Sequence, residues 1–344
     1  MIIYSHLELV NEVKTSLVEA DYDVAEIHRS GTVDLIAKSN QDENEAALLT
    51  KCVSQLDNFK TQHSAQIQAL SKFIGAIPLL IADCYKNNQF LRDETLYLRH
   101  NINAINLKTL QNLLEHNISP YKIAMRGSSV SIKLNGSKLT RAIDQIEHNK
   151  TKNEISKDLE ISRQTLANYQ TGQSLPSEET FQRIINFFND MTSKVTKDDL
   201  IDPINLFKNK SLNENEKSND TINEANLTGF RGEVNEKLKE LQFNSKWFQS
   251  LPWDGVSIDQ EIRSKKLLFF TGLGEKEQLD PLLARINATE NVVRLFNNKS
   301  IWIIQNEKII PDLQDLLLHG PSDIKILSFH NLPDIKKEKI KNLK

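Results

Sequence analysis

The sequence predicts an α/β protein with an all-α insert: an N-terminal α/β domain, a central module of four short helices, and a small C-terminal α/β domain. Three observations lead there. Strand-like and helix-like segments alternate towards both ends of the chain. Four apolar stripes at helical spacing follow one another between residues 138 and 190. A polar tract at 207–227, "FKNKSLNENEKSNDTINEANL", breaks the apolar patterning. A chain of 344 residues also exceeds one core, since single cores stop growing near roughly 250–300 residues. The expected divisions are 1–131, 132–206, a flexible linker at 207–227 too polar to order itself, and 228–344.

Taken in order, "SHLELVNEVKTSLVEA" repeats Leu7, Val10, Val13 and Leu17 at helical spacing. "YDVAEIH" and "VDLIAKS" flank "RSGT", a hairpin signal around Gly31. "AALLTKCV" reads as a third, buried strand, "TQHSAQIQALSKFIG" as a helix stopped by Gly75, and "IPLLIADC" as a fourth strand. "INLKTLQNLLEHN" adds a helix, and "VSIKLNG" (130–136) a short strand. Beyond the linker, "LLFFTG", "IWIIQN" and "DIKILSF" read as buried strands separated by helices at 280–296 and 311–319. Such alternation favours parallel pairing. No internal repeat is evident.

The bulk composition is that of an ordinary soluble protein, with 39% hydrophobic and 26% charged residues and a net charge of -3. A global basic signature is absent, so any nucleic-acid binding must come from a local surface. Cys52 and Cys84 lie in no CxxC and no Cys/His cluster, and read as buried thiols in a reducing compartment. The start lacks a signal-peptide pattern, and the longest apolar run, 73–82, contains Pro78 and falls well short of a membrane helix. The expectation is a cytoplasmic protein with no membrane segment. The eight histidines are scattered without a catalytic constellation. No catalytic residue, metal or cofactor is expected.

The central segment carries the most information. Leu139, Ala142, Ile143 and Ile146 form one helical stripe. Thr151 and Glu154 have capping-box spacing, so a second helix should start at Thr151 with Ile155 and Leu159 inward. Ser162 is a good N-cap for a third helix, 162–171, which Gly172 stops. Pro176 and Ser177 open a fourth, with Phe181, Ile184, Ile185 and Phe188 as its stripe. Two helices joined by a tight turn make a helix-turn-helix, whose second helix enters the major groove. With Leu166 and Tyr169 facing the core, Arg163, Gln164 and Asn168 face outward. Those types suit base edges, Arg reading guanine and Gln or Asn reading adenine. Ser162, Thr165 and Lys152 are expected on phosphates, and Gln170 should lean back towards the core. One count runs the other way: residues 138–190 hold seven Lys/Arg against eight Asp/Glu, whereas a DNA binder favours positive charge.

The stretch "NEISKDLEISRQTLANYQTGQSLPSEETFQRIINFF" resembles the Cro and lambda-repressor type of helix-turn-helix, the xenobiotic-response-element family. The spacing of Ser162-Arg163, Tyr169, Gly172 and Pro176 carries the match. Glu160 departs from it, standing where glycine is usual in the turn. If that position is left-handed, the strain is on the order of 1 kcal/mol. Gln170 stands where Glu is common. A wider resemblance, through "AIPLLIADCYKNNQFLRDETLYLRHNINAINLKTLQNLLE", "MRGSSVSIKLNGSKL" and "DPINLF", is to an archaeal family of helix-turn-helix transcriptional regulatory proteins. It implies transcriptional regulation and an archaeal source.

The helix, three strands, helix, strand order of residues 5–84 resembles the core of PD-(D/E)XK nucleases. The resemblance implies a metal held by an Asp on the second strand and a Glu-x-Lys on the third. Asp34 and Lys51 match in type and place, but Leu49 stands where the acid belongs. One carboxylate holds Mg²⁺ poorly, so a degenerate, inactive platform is expected. In the C-terminal part, Gly272 and Gly274 fit a tight strand-to-helix turn better than a phosphate loop, and Trp247, Phe248 and Trp253 read as packing residues. The leading expectation is a sequence-specific regulator of double-stranded DNA. It should work as a homodimer through the part after the linker, with room for a small-molecule effector. The alternative is a nucleic-acid-processing enzyme of nuclease-like fold targeted by its helix-turn-helix.

Overall fold

The computed structural model of the chain describes residues 4–27, 31–41, 46–85, 89–126, 129–146, 150–192, 199–202, 206–207, 227–259, 268–274, 278–317 and 323–335. They fall into two spatial units. Residues 1–81, 100–102 and 207–344 make the first, and 82–99 and 103–206 the second. The first unit thus joins the two ends of the chain. Most of the expected linker, 208–226, lies outside the described residues, as do residues 336–344.

The first unit begins with helix α1, His6–Glu19. Ser5 and Glu8 cap it reciprocally, Ser5 N–H donating to Glu8 Oε2 at 2.8 Å. This satisfies two of the amides that a helix start leaves unpaired. Its buried face is Leu9, Val10, Val13 and Leu17, while Leu7 is 64% exposed. The expected stripe was therefore right at three positions and misplaced at Leu7. Leu9, two residues on, takes its place in the core. Strands β1 (Tyr22–Glu26), β2 (Leu35–Ser39) and β3 (Leu48–Gln55) form an antiparallel meander. Helix α2 (Thr61–Ile74) ends at Gly75, whose φ of 71° is the left-handed cap that glycine adopts without strain. Strand β4 (Ile77–Cys84) follows and lies beside β3. The predicted order holds at every element.

The same unit contains α8 (Gly229–Glu240), β9 (Phe243–Trp247), β10 (Gly255–Asp259), β11 (Leu268–Gly274), α9 (Leu279–Leu295), β12 (Lys299–Ile304), α10 (Ile310–Leu317) and β13 (Ile324–Ser328). The sheet order is β13-β12-β11-β10-β9. Strands β11, β12 and β13 pair in parallel, as the alternation predicts. Strands β9 and β10 are antiparallel, and the sequence reading missed both. Phe230, Val234 and Leu238 of α8 cover one face with Phe243 and Phe269. Leu282 and Ile286 of α9 cover the other with Trp302. Trp247, Phe248 and Trp253 are all buried, as packing residues should be. The two glycines lie inside β11 rather than in a turn after it. A Cβ at Gly272 would stand 2.3 Å from the Trp302 ring, and one at Gly274 2.7 Å from Ile304. Side chains of the next strand use that space, so no phosphate cradle forms there.

In the second unit, β5 (Thr95–Arg99), β6 (Ile102–Ile105), β7 (Tyr121–Arg126) and β8 (Ser129–Ile132) lie in the order β6-β5-β7-β8, with α3 (Leu107–His116) between β6 and β7. Four helices follow: α4 (Gly136–Ile146), α5 (Lys152–Asp158), α6 (Arg163–Thr171) and α7 (Glu178–Thr192). Helices α5 and α6 begin at the predicted caps Thr151 and Ser162, α6 stops at Gly172, and α7 begins just after Ser177. Leu139, Ala142, Ile143, Ile146, Ile155, Leu159, Phe181, Ile184, Ile185 and Phe188 are all buried.

Candidate nucleic-acid interface

Local bonds set the geometry of α5 and α6. Thr151 and Glu154 make the expected capping box, Thr151 N–H donating to Glu154 Oε2 at 2.8 Å. These bonds hold the Glu154 carboxyl below the usual carboxylate range. Ser162 caps α6, its Oγ accepting from the Thr165 amide at 2.9 Å. Gly172 closes α6 at φ 71°, where a side chain would be strained. Between the helices, Glu160 has φ 55°. The turn does demand the left-handed conformation, and this sequence meets it without glycine. The Glu160 carboxylate is met by Arg183 from α7.

Leu166 and Tyr169 are 2% and 7% exposed, so they fix the rotation of α6. Burial also pushes the Tyr169 phenol up from its ordinary pKa. On the opposite side, Arg163 and Gln164 are exposed and Asn168 is half-buried. Gln164 Nε2 donates to Asn168 Oδ1 at 2.9 Å, so the two amides one turn apart are already aligned. This leaves Gln164 Oε1 and the Asn168 NH₂ as an acceptor and a donor on the outer face, the pair that an adenine edge requires. Ser162 and Thr165 hydroxyls sit 2.8 Å apart at the start of the helix. Lys152 is exposed at the first position of α5. Lys150 is engaged with Asp158 at 2.6 Å and lies 5.5 Å over the Phe187 ring. Gln170 does lean inward, its Nε2 donating to Thr140 Oγ1 at 3.2 Å. There α4 and α6 touch main chain to main chain: a Cβ on Gly136 would meet the Gln170 carbonyl oxygen at 1.9 Å.

Asp34 stands just before β2 and is 4% exposed. Lys51 Nζ donates to its Oδ1 at 2.8 Å, while its Oδ2 accepts from the Cys52 amide at 2.7 Å and lies 3.2 Å from His6 Nε2. Both carboxylate oxygens are therefore committed, one of them to a cation. Leu49 is fully buried, so no second acid enters from β3. Among the described residues no group of three His, Cys, Asp or Glu is placed to hold a metal ion. A divalent cation of the nuclease type does not fit these residues, because such ions take several charged oxygens. His63 of α2 also lies near Lys51, and its pKa is lowered by burial and then by Lys51 and Lys60. Both cysteines are buried, and neither forms a disulfide. His100 folds into the structure through its carbonyl, which accepts from Ser64 Oγ at 2.8 Å. His28 lies outside the described residues.

Comparison with known proteins finds both domain types. Residues 6–120 match the PD-(D/E)XK superfamily domain and residues 145–192 a helix-turn-helix domain. The chain is 25% identical over 301 residues to a protein of Thermococcus kodakarensis, covering 87% of this chain and 86% of that one. It is 25% identical to one from Pyrococcus horikoshii, covering 92% and 94%, and 22% identical to one from Methanococcus vannielii, covering 87% and 88%. Each bears the name "Putative HTH-type transcriptional regulatory protein". No solved structure matches the chain. No helix among the described residues is long and apolar enough to cross a membrane. Residues 145–192 are thus a helix-turn-helix domain of the Cro and lambda-repressor type, in a chain similar over most of its length to these archaeal regulatory proteins.

Proposed function

We propose that this protein is a sequence-specific regulator of transcription that reads double-stranded DNA through the major groove with α6. The observation that carries this reading is the outer face of α6. Arg163, Gln164 and Asn168 point away from Leu166 and Tyr169, and the two amides are aligned by their own hydrogen bond. Arg163 meets guanine and the Gln164–Asn168 pair meets adenine. Ser162, Thr165 and Lys152 contact phosphates and set the register. The names of the relatives support the same reading. The protein acts in the cytoplasm as a homodimer without a cofactor or a catalytic step. Residues 1–131 form a nuclease-like platform, 132–206 the reader, and 228–344 the part that pairs or senses an effector.

The test is discrimination. A genome-wide footprint supplies the site, and binding of Gln164→Ala and Asn168→Ala is then compared on that site and on a scrambled one. Each substitution should cost about 1–3 kcal/mol at one base position and relax the preference there. If both folded variants keep wild-type discrimination, α6 does not read bases and the proposal falls.

A second reading rests on the match of residues 6–120 to the PD-(D/E)XK domain and on the Asp34–Lys51 pair. It is a nucleic-acid-processing enzyme targeted by the same helix. The commitment of both Asp34 oxygens and the apolar Leu49 weigh against it. A regulator binds its operator in EDTA and leaves it intact. Mg²⁺-dependent cleavage lost in Asp34→Ala would reverse the order of the two readings.

A further inference from the structure

We infer that residues 227–304 are a second copy of the nuclease-like fold of residues 5–84, and that the two copies clasp each other within one chain as a pseudo-dimer. The element order is the first sign: α1-β1-β2-β3-α2-β4 is repeated by α8-β9-β10-β11-α9-β12, and in each half the strands lie in chain order.

The pairing registers then agree residue by residue. Tyr22 pairs with Ser39 and Glu26 with Leu35. In the second copy Phe243 pairs with Asp259 and Trp247 with Gly255. Leu35 pairs with Thr50, as Gly255 does with Thr271. The turn from helix to first strand is made by a left-handed non-glycine residue in both, Asp21 at φ 64° and Gln242 at φ 62°. Each donates its amide to the carbonyl three residues back, Val18 at 3.0 Å and Lys239 at 2.8 Å. The buried faces of the first helices correspond, Leu9, Val13 and Leu17 to Phe230, Val234 and Leu238.

The strongest agreement is at the acid. Asp34 and Asp254 each precede the second strand. The Ile27 amide donates to the Asp34 carbonyl at 2.7 Å, and the Asp34 amide to Thr50 at 2.9 Å. The Phe248 amide donates to the Asp254 carbonyl at 2.7 Å, and the Asp254 amide to Thr271 at 2.9 Å. The side chains follow suit, Cys52 N–H donating to Asp34 Oδ2 and Leu273 N–H to Asp254 Oδ2, both at 2.7 Å. Common α/β topology accounts for shared order; it does not account for one aspartate held by three equivalent main-chain bonds.

The second copy has replaced the partners of that acid. Gly272 stands in the place of Lys51, and Phe270 in the place of Leu49. Arg231 from α8 meets Asp254 Oδ1 at 2.7 Å, and Arg285 from α9 meets Oδ2 at 2.5 Å. Arg285 also stacks 5.3 Å over the Trp302 ring. Each copy therefore closes its acid with an internal cation, and neither offers the set of carboxylates that a divalent metal takes.

The packing between copies is reciprocal. Helix α9 lies against β1, and its counterpart α2 lies against β9, the counterpart of β1. That exchange is the mark of a two-fold, isologous contact. Where the loops of the two copies meet, a Cβ built on Gly31 stands 3.9 Å from Ser250 Cβ.

That approach gives the test, because a disulfide needs Cβ atoms about 3.5–4.5 Å apart. The full chain carries Gly31→Cys and Ser250→Cys, with a specific protease site inserted between Ser218 and Asn219. Mild oxidation should link the cysteines within one chain. After cleavage the pieces should run as one band without reductant and as two with it. The same insertion without the new cysteines should still elute, after cleavage, at the volume of the uncut protein. Separation of those pieces, a link between two chains, or thiols that stay reduced in a folded variant would each overturn the inference. If the cysteine variant does not fold, amide exchange on the wild-type chain decides: the Cys52 and Leu273 amides should both be among the slowest. Fast exchange at Leu273 would show that the cradle is not repeated.

Discussion

Single residues in the helix-turn-helix turn show local rules being met and broken. Glu160 occupies a left-handed position at φ 55°. An L-residue there is strained by roughly 1–2 kcal/mol. Its pairing with Arg183 is exposed and offsets little. Glu160→Gly should therefore be about 1 kcal/mol more stable than Glu160→Ala in chemical denaturation, since both lose the pair and only glycine relieves the backbone. Equal stabilities would show that the turn relaxes by other means. Lys152 belongs to a different class of contact. It is exposed at the head of α5, and a phosphate contact carries no sequence information. Lys152→Ala should weaken binding to cognate and scrambled DNA alike and reduce the slope of log K against log salt by about one. A loss confined to the cognate site would assign Lys152 to base reading instead.

At the scale of elements, α6 is aimed by the helices around it. Its inner residues Leu166 and Tyr169 are buried, and its end rests on α4 through the Gly136–Gln170 approach. Gly136 is required for its lack of a Cβ and not for a positive φ, because the atom it would meet is main-chain carbonyl oxygen at 1.9 Å. Gly136→Ala should push α4 and α6 apart and cost about 1–3 kcal/mol, the usual penalty of overpacking. DNA binding should fall with it, because tilting the reader helix misplaces every base contact together. A variant with unchanged stability and affinity would mean that the contact opens freely.

Over the whole molecule, His63 ties stability to pH. Burial first, then Lys51 and Lys60, lower its pKa in the folded chain. The unfolded chain has the ordinary His pKa near 6.5. Above that value neither state binds the proton and His63 contributes nothing to pH dependence. As pH falls below it, the unfolded state takes the proton first, so stability is lost down to the folded pKa. The urea midpoint should drop as pH falls below about 6.5, and His63→Gln should flatten the drop. A profile identical in the two proteins would remove His63 from the account. Assembly is the other property at this scale. A single reader helix covers only three or four base pairs, and such modules pair across half-sites about one helical turn apart. Light scattering should report a dimer of chains, each already carrying its internal pair. A monomer at micromolar concentration, free and on DNA, would require reading from one site.

What the sequence by itself determined is whatever rests on neighbours three or four residues apart. The caps at Thr151 and Ser162, the stops at Gly75 and Gly172, and the stripes of α4 to α7 are fixed by bonds within one or two turns. For that reason the helix-turn-helix and the rotation of its second helix were legible down to Gln164 and Asn168. The αβββαβ order of residues 5–84 was legible too, because its strands are apolar runs bounded by clear turns. Strands β9 and β10 escaped, since "FNSKW" and "GVSID" are short, partly polar, and become strands only by pairing with each other and with β11. Tertiary structure alone decided the fate of Asp34. The type and position of Lys51 suggested a site, but only its Nζ at 2.8 Å and the Cys52 amide at 2.7 Å show both carboxylate oxygens taken. It also decided the repeat. Of the three positions that cradle each acid, Thr50 recurs as Thr271, whereas Ile27 has become Phe248 and Cys52 has become Leu273. Main-chain hydrogen bonds preserve such a likeness where side chains do not, because every residue supplies the same amide and carbonyl.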